Sequence, residues 1–472
     1  MSPHNFYLTT TLPYVNAAPH IGFALEIVAA DVIARYQRSL GKEVIFNTGT
    51  DEHGQKIYEK ALEADLAPQD YVDEYAAHFS QLKDQLNLSY SHFIRTTDAH
   101  HVTAAQHFWQ LCDEKGYIYL DSYQVKYCVG CELAKTESEL VDGKCPLHPR
   151  QELELREEEN YFFKFSAFQE QLLALYESQP DFVKPEGKFN EIKSFVAQGL
   201  QDFSISRLKE KMPWGITVPG DENHVMYVWF DALVNYISTL GWPDNEQQFQ
   251  QFWPGVQLAG KDNLRQQSAM WQAMLMAAGL PNSQQILING FIGVDGQKMS
   301  KSLNNVISPQ EMVDRYGQDA TRYLLINLGA FGDDMDVTWE KLDTTYTADL
   351  ANGIGNLCSR VAKMVEQDGF SVEASGQTGS VEYHQLMTNY DLTPALQLTK
   401  ELVTATDQYL SETTPWQKEP AEREQILRQA ITQILQIAEQ LTPVMPNTAA
   451  EIKAHFSGTV SSFQPLFPRL PT

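Results

Sequence analysis

The chain has 472 residues, with 61 Asp and Glu against 35 Lys and Arg and a formal net charge of −26. That length exceeds one hydrophobic core, so roughly two to four domains are expected, and no apolar run approaches the length of a membrane span. The acidic balance argues against nucleic-acid binding by blanket attraction, because neutralising phosphates requires Lys and Arg, although local basic patches can survive on an acidic surface.

The N-terminus enters a strand-like run almost at once, which leaves no room for a signal or transit peptide and makes the cytoplasm the expected compartment. The five cysteines fit a reducing environment, since three fall in a metal-like cluster while Cys112 and Cys358 stand alone. Residues 1–115 alternate strand-like and helix-like segments, the pattern of a doubly wound parallel sheet. Phe6-Tyr7-Leu8-Thr9-Thr10 leads to Pro19-His20-Ile21-Gly22, which opens a predicted helix. The free N–H groups and the dipole at such a helix start favour anions. Ile21, Leu25, Val28 and Val32 recur at helical spacing and are expected to face the sheet. Val44-Ile45-Phe46 reads as the next strand and runs into Thr48-Gly49-Thr50-Asp51-Glu52-His53-Gly54. Ligands bind beyond the carboxyl ends of parallel strands, so Asp51 is placed to meet a substrate amine, to cap the following helix, or to do both.

Residues 116–225 break the alternation. They carry Cys128-Val129-Gly130-Cys131 and, after a spacer of thirteen residues, Cys145-Pro146-Leu147-His148. A disulfide or a chance grouping of thiols is the plain alternative. The internal spacing of both halves and the reducing compartment favour a tetrahedral zinc held by Cys128, Cys131, Cys145 and His148. Four protein ligands close the shell, so such a zinc is structural. Residues 226–320 return to the first pattern, which makes 116–225 an insertion within one nucleotide-binding domain. Tyr227-Val228-Trp229-Phe230-Asp231-Ala232 reads as a strand leading to a helix that bears Tyr236; taken alone, Trp229 and Tyr236 are ordinary core aromatics. Leu258-Ala259-Gly260-Lys261-Asp262 is a strand end with glycine where backbone approaches a ligand. After the strand-like Gln285-Ile286-Leu287-Ile288-Asn289 and a turn at Asp295-Gly296 comes Lys298-Met299-Ser300-Lys301-Ser302. Two lysines and two hydroxyls on one loop suit a polyphosphate, though such a string by itself is equally a solvated loop. Two anion sites on one nucleotide fold imply a clamp on ATP.

A linking segment, 321–345, precedes a helical region at 346–472. Leu427, Ile431, Leu435, Ala438 and Leu441 recur at helical spacing and stop before Pro443 and Pro446. This region holds 8 Lys and Arg against 14 Asp and Glu, so any RNA contact needs a few placed groups such as Arg360, and stacking on a ring such as Trp416. The stretch Ser371–Ser380 reads as a flexible linker.

Taken in order, Tyr14, Asn16, the His20 motif, Thr50–Gly54, the Cys/His cluster, Val228–Ala232, Gly260–Asp262 and the lysine loop resemble the methionyl-tRNA synthetases, a family of class I aminoacyl-tRNA synthetases. The likeness runs from Phe6 to the last helices and is closest to the bacterial form with a single zinc knuckle. It implies an α/β fold: a Rossmann-like nucleotide-binding domain with an inserted zinc-knuckle domain, followed by an α-helical bundle that binds the anticodon. It also implies a monomer, because the appended C-terminal dimerisation domain of some members is missing.

By position, the resemblance assigns Leu12, Tyr14, Asp51, Trp229, Ala232, Tyr236, Asn263 and Gln267 to the methionine pocket, with Asp51 on the α-amino group. Pro19, His20, Gly22, Gly260, Asp262, Ile292, Lys298, Met299, Ser300 and Lys301 fall at ATP positions. His20, Lys298 and Lys301 carry the charge stabilisation, with Mg²⁺ on the phosphates. Asn356, Arg360 and Trp416 match anticodon-reading positions, so tRNA(Met) is the expected partner. Three residues depart from the family. Phe23 replaces a usual second histidine, and Asn263 and Gln267 stand where isoleucine and histidine usually line the side-chain pocket. A buried unpaired amide costs about 1–3 kcal/mol, so either the two amides satisfy one another or the recognised side chain is not a plain thioether. A divergent paralogue that activates another amino acid is the main alternative. A non-catalytic RNA-binding homologue is a further one, against which the lysine loop, Asp51 and Gly260–Asp262 all argue.

Overall fold

A computed structural model describes residues 4–131, 133–135, 140–299, 305–373, 378–462 and 464–470. The chain packs as two compact units: Met1–Ala18, Ile45–Ser80 and Tyr90–Ile288 form one, and Pro19–Val44, Gln81–Ser89 and Asn289–Thr472 the other.

The first unit is built on a six-stranded sheet in the order His92–Arg95, Glu43–Thr50, Asn5–Thr9, Val256–Gly260, Gln285–Asn289, Val183–Lys184. Asn5–Thr9 runs parallel to Val256–Gly260, and Glu43–Thr50 parallel to His92–Arg95. Sequence neighbours are thus separated by crossovers, as the alternating pattern requires. Gly49 is obligatory in its strand, because a Cβ there would lie 1.8 Å from the Ile94 carbonyl oxygen. Aromatic side chains fill the core beside the sheet: Phe108 stacks on Trp271 at 5.6 Å between ring centroids, and Trp109 meets Phe230 edge-on at 5.2 Å.

The segment 116–225 departs from the parallel pattern, as expected. It forms a four-stranded sheet in the order Leu133–Lys135, Ile118–Cys128, Glu154–Phe163, Phe203–Ser204. It also returns Val183–Lys184 to the edge of the six-stranded sheet, with Val183 in register with Ile286. One local expectation is corrected. Tyr227–Ala232 is not a strand; the preceding strand ends at Met226, and Val228–Ala232 is a short helix entered from Tyr227. Its β-branched and aromatic residues favour a strand by propensity, but such preferences yield to tertiary packing. Here Val228, Phe230 and Asp231 are all buried on a single helical turn.

The second unit contains the helix α1, Ile21–Ser39, on which Ile21, Leu25, Val28 and Val32 are all buried as the spacing predicts. A buried ion pair sits on it, with Asp31 and Arg322 both inaccessible and 2.8 Å apart. Arg322 also donates to the carbonyls of Val444, Pro443 and Leu86 at 2.7, 2.9 and 3.0 Å. A charge buried this deeply is tolerable only when paired and fully hydrogen-bonded. Ile292–Val294 lies between Gln297–Lys298 and Met335–Val337 in a three-stranded sheet. The hairpin turn is Asp295-Gly296, both at positive φ (52° and 70°), which suits a two-residue hairpin.

The C-terminal part is helical. Leu427, Ile431, Leu435, Ala438 and Leu441 are buried along the helix Pro420–Leu441, and Pro446 opens the next one, Pro446–His455. The stretch read as a linker begins with a short strand, Ser371–Val372, paired with Gly458–Thr459. Its residues 374–377 lie outside the described ones.

Candidate active site

In the first unit the carboxyl ends of the strands open into a cavity of about 60 Å³. Seven of the eight residues assigned to the amino acid line it: Leu12, Asp51, Trp229, Ala232, Tyr236, Asn263 and Gln267. The eighth, Tyr14, forms an isolated parallel bridge with Asp51. The backbone of Asp51 is fixed on both sides, its N–H donating to the Pro13 carbonyl at 3.0 Å and its carbonyl accepting from Val15 N–H at 3.2 Å. Asp51 caps no helix, since the following helix Gln55–Glu63 starts from Gly54. Gly54 has φ of 108°, and a Cβ on it would lie 2.2 Å from the Tyr14 hydroxyl. The adjoining Glu52 is fully buried and accepts from Nε and Nη2 of Arg95, at 2.6 and 2.9 Å, together with the hydroxyls of Thr50 and Thr97. That network makes the segment carrying Asp51 rigid. Tyr236 is buried and Trp229 half-buried, and both line the cavity rather than only filling the core.

The two amides do not satisfy one another. Gln267 Nε2 donates to the Tyr236 hydroxyl at 2.6 Å, and Asn263 leans towards Asp262 Oδ1 at 3.5 Å. The Gln267 Oε1 atom is buried and has no hydrogen-bond partner among the described residues. Gln266–Met270 is a turn of π-helix, a widening that often marks functional positions. Sequence reasoning missed four further lining residues: Thr11, Leu233, Asn235 and Gln266. All four adjoin residues that were found, so neighbourhood along the chain was the available signal in every case. At the strand end, a Cβ on Gly260 would lie 2.8 Å from Asp262 Oδ1, so that side chain would have to turn aside to admit one. Asp262 itself is exposed.

In the second unit, His20 is the N-cap of α1, and its Nδ1 accepts from Gly22 N–H at 3.0 Å. The first turn of α1 holds no acidic residue, so nothing opposes an anion there. Pro19 is half-buried and His20 exposed. The structure brings the two nucleotide motifs together: a Cβ on Gly22 would lie 3.6 Å from the Met299 methyl, and Ile21 N–H donates to the Ile307 carbonyl at 3.1 Å. Ile292 is buried at 5 % exposure. Lys298 ends the hairpin strand, but its side chain, like Ser300 and Lys301, lies outside the described residues.

In the inserted segment, the ligand atoms of Cys128, Cys131, Cys145 and His148 all lie within 4.8 Å of one another. Cys131 Sγ is 3.3 Å from Cys145 Sγ and 3.2 Å from His148 Nδ1, and Cys128 Sγ is 3.7 Å from His148 Nδ1. Around a tetrahedral zinc such edges measure about 3.5–3.8 Å, so the cluster fits the ion. The sulfurs are too far apart for a disulfide, whose S–S bond is about 2.05 Å, and all five cysteines are free. Gly130 lets the turn pass beneath the imidazole, since a Cβ there would lie 2.4 Å from His148 Cδ2.

The model of the family described as "tRNA synthetases class I (M)" matches residues 6–154 and 147–362. The methionine–tRNA ligase of Thermosynechococcus vestitus is 42% identical, covering 96% of this chain and 90% of that protein. The chain belongs to the class I tRNA synthetase family of methionine–tRNA ligases. The methionine–tRNA ligase of Thermotoga maritima is 40% identical over 95% of this chain and 74% of its own length. Among solved structures, Mycobacterium tuberculosis methionyl-tRNA synthetase in complex with methionyl-adenylate superposes with a TM-score of 0.92 at 34% identity, covering 98% of this chain and all of that one. In this class I synthetase the helical region presents Asn356 and Arg360 one turn apart on the helix Asn356–Asp368. Arg360 pairs with Asp407 and lies 6.0 Å from the centre of the Trp416 ring. Trp416 is 49% exposed, so it is not a core residue.

Proposed function

We infer that this chain ligates methionine to its tRNA at the expense of ATP, through a methionyl-adenylate. The observation that carries the reading is the solved neighbour bound to methionyl-adenylate, which the chain matches over 98% of its length. The shared name of its relatives favours methionine over a different amino acid as substrate.

Within this reading, the Asp51 carboxylate receives the α-ammonium, and Leu12, Trp229, Ala232 and Tyr236 enclose the thioether, which packs well against aromatic edges. The methionine carboxylate attacks the α-phosphorus of ATP in line, the bond from that phosphorus to the α,β-bridging oxygen breaks, and pyrophosphate leaves. A hydroxyl of the terminal tRNA ribose then attacks the adenylate carbonyl, and AMP leaves. Neither step needs a protein nucleophile; both need positioning and charge stabilisation. His20 and the N–H groups at the start of α1, with Lys298 and Lys301, meet the negative charge as it builds on the phosphates. Pro19, Gly22, Ile292, Met299 and Ser300 shape that site, and Gly260 and Asp262 hold the nucleoside. Mg²⁺ accompanies ATP and neutralises phosphate charge. A zinc held by Cys128, Cys131, Cys145 and His148 stabilises the insertion, and Asn356, Arg360 and Trp416 read the anticodon. We assign the catalytic domain to 1–115 and 226–320, the insertion to 116–225, a link to 321–345 and the anticodon-binding domain to 346–472. Charging of tRNA and the lack of any disulfide among the described cysteines support a cytoplasmic location; no helix among the described residues is long and apolar enough to cross a membrane.

Charging of unfractionated tRNA with labelled methionine tests the reading. Methionine is expected to become acid-precipitable only with ATP and tRNA(Met) present, and its failure to do so in active, folded protein would refute ligation.

A further inference from the structure

Behind the amino-acid cavity lies a buried polar cluster that the reaction itself does not use. Asp231 is fully inaccessible and belongs to the short helix Val228–Ala232, whose Trp229 and Ala232 line the cavity while Asp231 does not. Its Oδ2 lies 3.2 Å from His53 Nδ1, and its Oδ1 lies 3.9 Å from His101 Nε2, beyond hydrogen-bond reach. His53 follows Asp51 by two residues and packs against Trp214 at 5.5 Å between ring centres. His101 Nδ1 is 3.0 Å from Ser238 Oγ, on the helix Asn235–Ser238 that carries Tyr236. The cluster therefore joins two of the chain stretches that line the cavity, the one that carries Asp51 and the one that runs from Trp229 to Tyr236.

Burial pushes the Asp231 carboxyl up, and the facing His53 and His101 imidazoles more than offset this, so its pKa falls below the usual value. An ionised carboxylate can only accept, so His53 Nδ1–H is the donor. This arrangement is a poor choice for stability. Asp231 Oδ1 and His101 Nε2 have no hydrogen-bond partner among the described residues, and buried ionic groups can often be replaced by apolar ones of similar volume without loss. Orphaned buried polar atoms of this kind call for another explanation. The geometry supplies one, because the contact crosses from the segment that presents Asp51 to the helix that presents Trp229. The two are packed closely here, since a Cβ on Gly54 would lie 3.6 Å from Val228 Cβ.

We propose that His53 and Asp231 are positioning residues of the amino-acid pocket, whose contact sets the distance between the carboxylate that binds the substrate ammonium and the wall that encloses its side chain. The proposal rests on the reading of the Asp51 cavity as the methionine site. It concerns the amino acid alone and predicts no effect on ATP.

The test is pyrophosphate exchange with separate KM values for methionine and ATP, measured for the wild type, His53→Leu, His53→Asn, Asp231→Asn and Asp51→Asn. Loss of the contact in His53→Leu is expected to raise the methionine KM by roughly tenfold, a difference of about 1.4 kcal/mol, while the ATP KM stays within about twofold. His53→Asn keeps a donor near the Nδ1 position and is expected to restore the methionine KM to within about threefold of the wild type, since a truncated partner, not lost volume, is then the cause. A purely structural role would lower the amount of active enzyme and leave both KM values alone. Asp231→Asn, which keeps the side chain's shape, tests the contact from the other side should His53→Leu fail to fold. An unchanged methionine KM in the folded variants overturns the proposal. So does an equal rise in both KM values, or an Asn variant as impaired as the Leu one. If Asp51→Asn alone loses methionine, the pocket reading stands and the proposal falls; if methionine does not support exchange in the wild type, both fall.

Discussion

Gly22→Ala separates a helix cap from a catalytic group at one position. An added Cβ would lie 2.8 Å from His20 Cε1 and 2.9 Å from Nδ1, closer than such atoms approach one another. The backbone yields poorly, because Ile21 N–H is tied to the Ile307 carbonyl at 3.1 Å. The exposed imidazole swings away instead, and the 3.0 Å hydrogen bond from Gly22 N–H to Nδ1 is lost. Losing an N-cap costs about 1 kcal/mol, and alanine in place of glycine within a helix returns roughly 0.5–1 kcal/mol. The two nearly cancel, so the melting temperature should hardly move. The rate should behave differently. Removing one preorganised group that stabilises transition-state charge costs roughly 10²–10³ in turnover, and the displaced imidazole is such a group if His20 meets the phosphates. Pyrophosphate exchange under saturating substrates, run beside a thermal melt, reads both quantities. Exchange within about threefold of the wild type would refute the catalytic placement of His20, because such a change is far below the loss expected of a transition-state group.

Three further outcomes are expected. Cys145→Ser should abolish stoichiometric zinc in elemental analysis and lower the melting temperature, because folding and metal binding are coupled; wild-type protein carrying no zinc would remove the ion from the account. Trp416→Ala should weaken tRNA charging by about 1–3 kcal/mol, the range for a base stacked on an aromatic ring, with exchange intact; equal damage to both reactions would contradict it. Burial pushes the Asp31 carboxyl up, but Arg322 and Arg35 pull it further down, so its pKa lies below 3.8. A depressed carboxylate adds stability that is full above its unfolded value and is lost as the pH falls through the folded one. Asp31→Asn should therefore cost about 3–5 kcal/mol at neutral pH, the penalty for breaking a buried pair, and flatten the loss of stability below about pH 4; denaturant titrations at several pH values check both.

What the sequence disclosed depended on how local each signal was. The helix Pro420–Leu441 announced itself through one buried stripe, and the Cys/His cluster through spacing alone, because both are written within a few turns of chain. Val228–Ala232 misled, since its residue types favour a strand and only distant packing makes them a helical turn. The fate of Asn263 and Gln267 was likewise out of reach: Gln267 is held by Tyr236, thirty-one residues away, and not by Asn263. The contacts of His53 and His101 with Asp231 join positions 178 and 130 residues apart, and no periodicity or spacing records such a meeting.

The central claim is that this fold activates methionine. ATP–pyrophosphate exchange, run without tRNA across the standard amino acids, tests it most directly. Methionine alone should support exchange at a rate far above the others. Exchange driven by a polar amino acid, with methionine inert, would contradict the claim and trace the departure to the amides of Asn263 and Gln267.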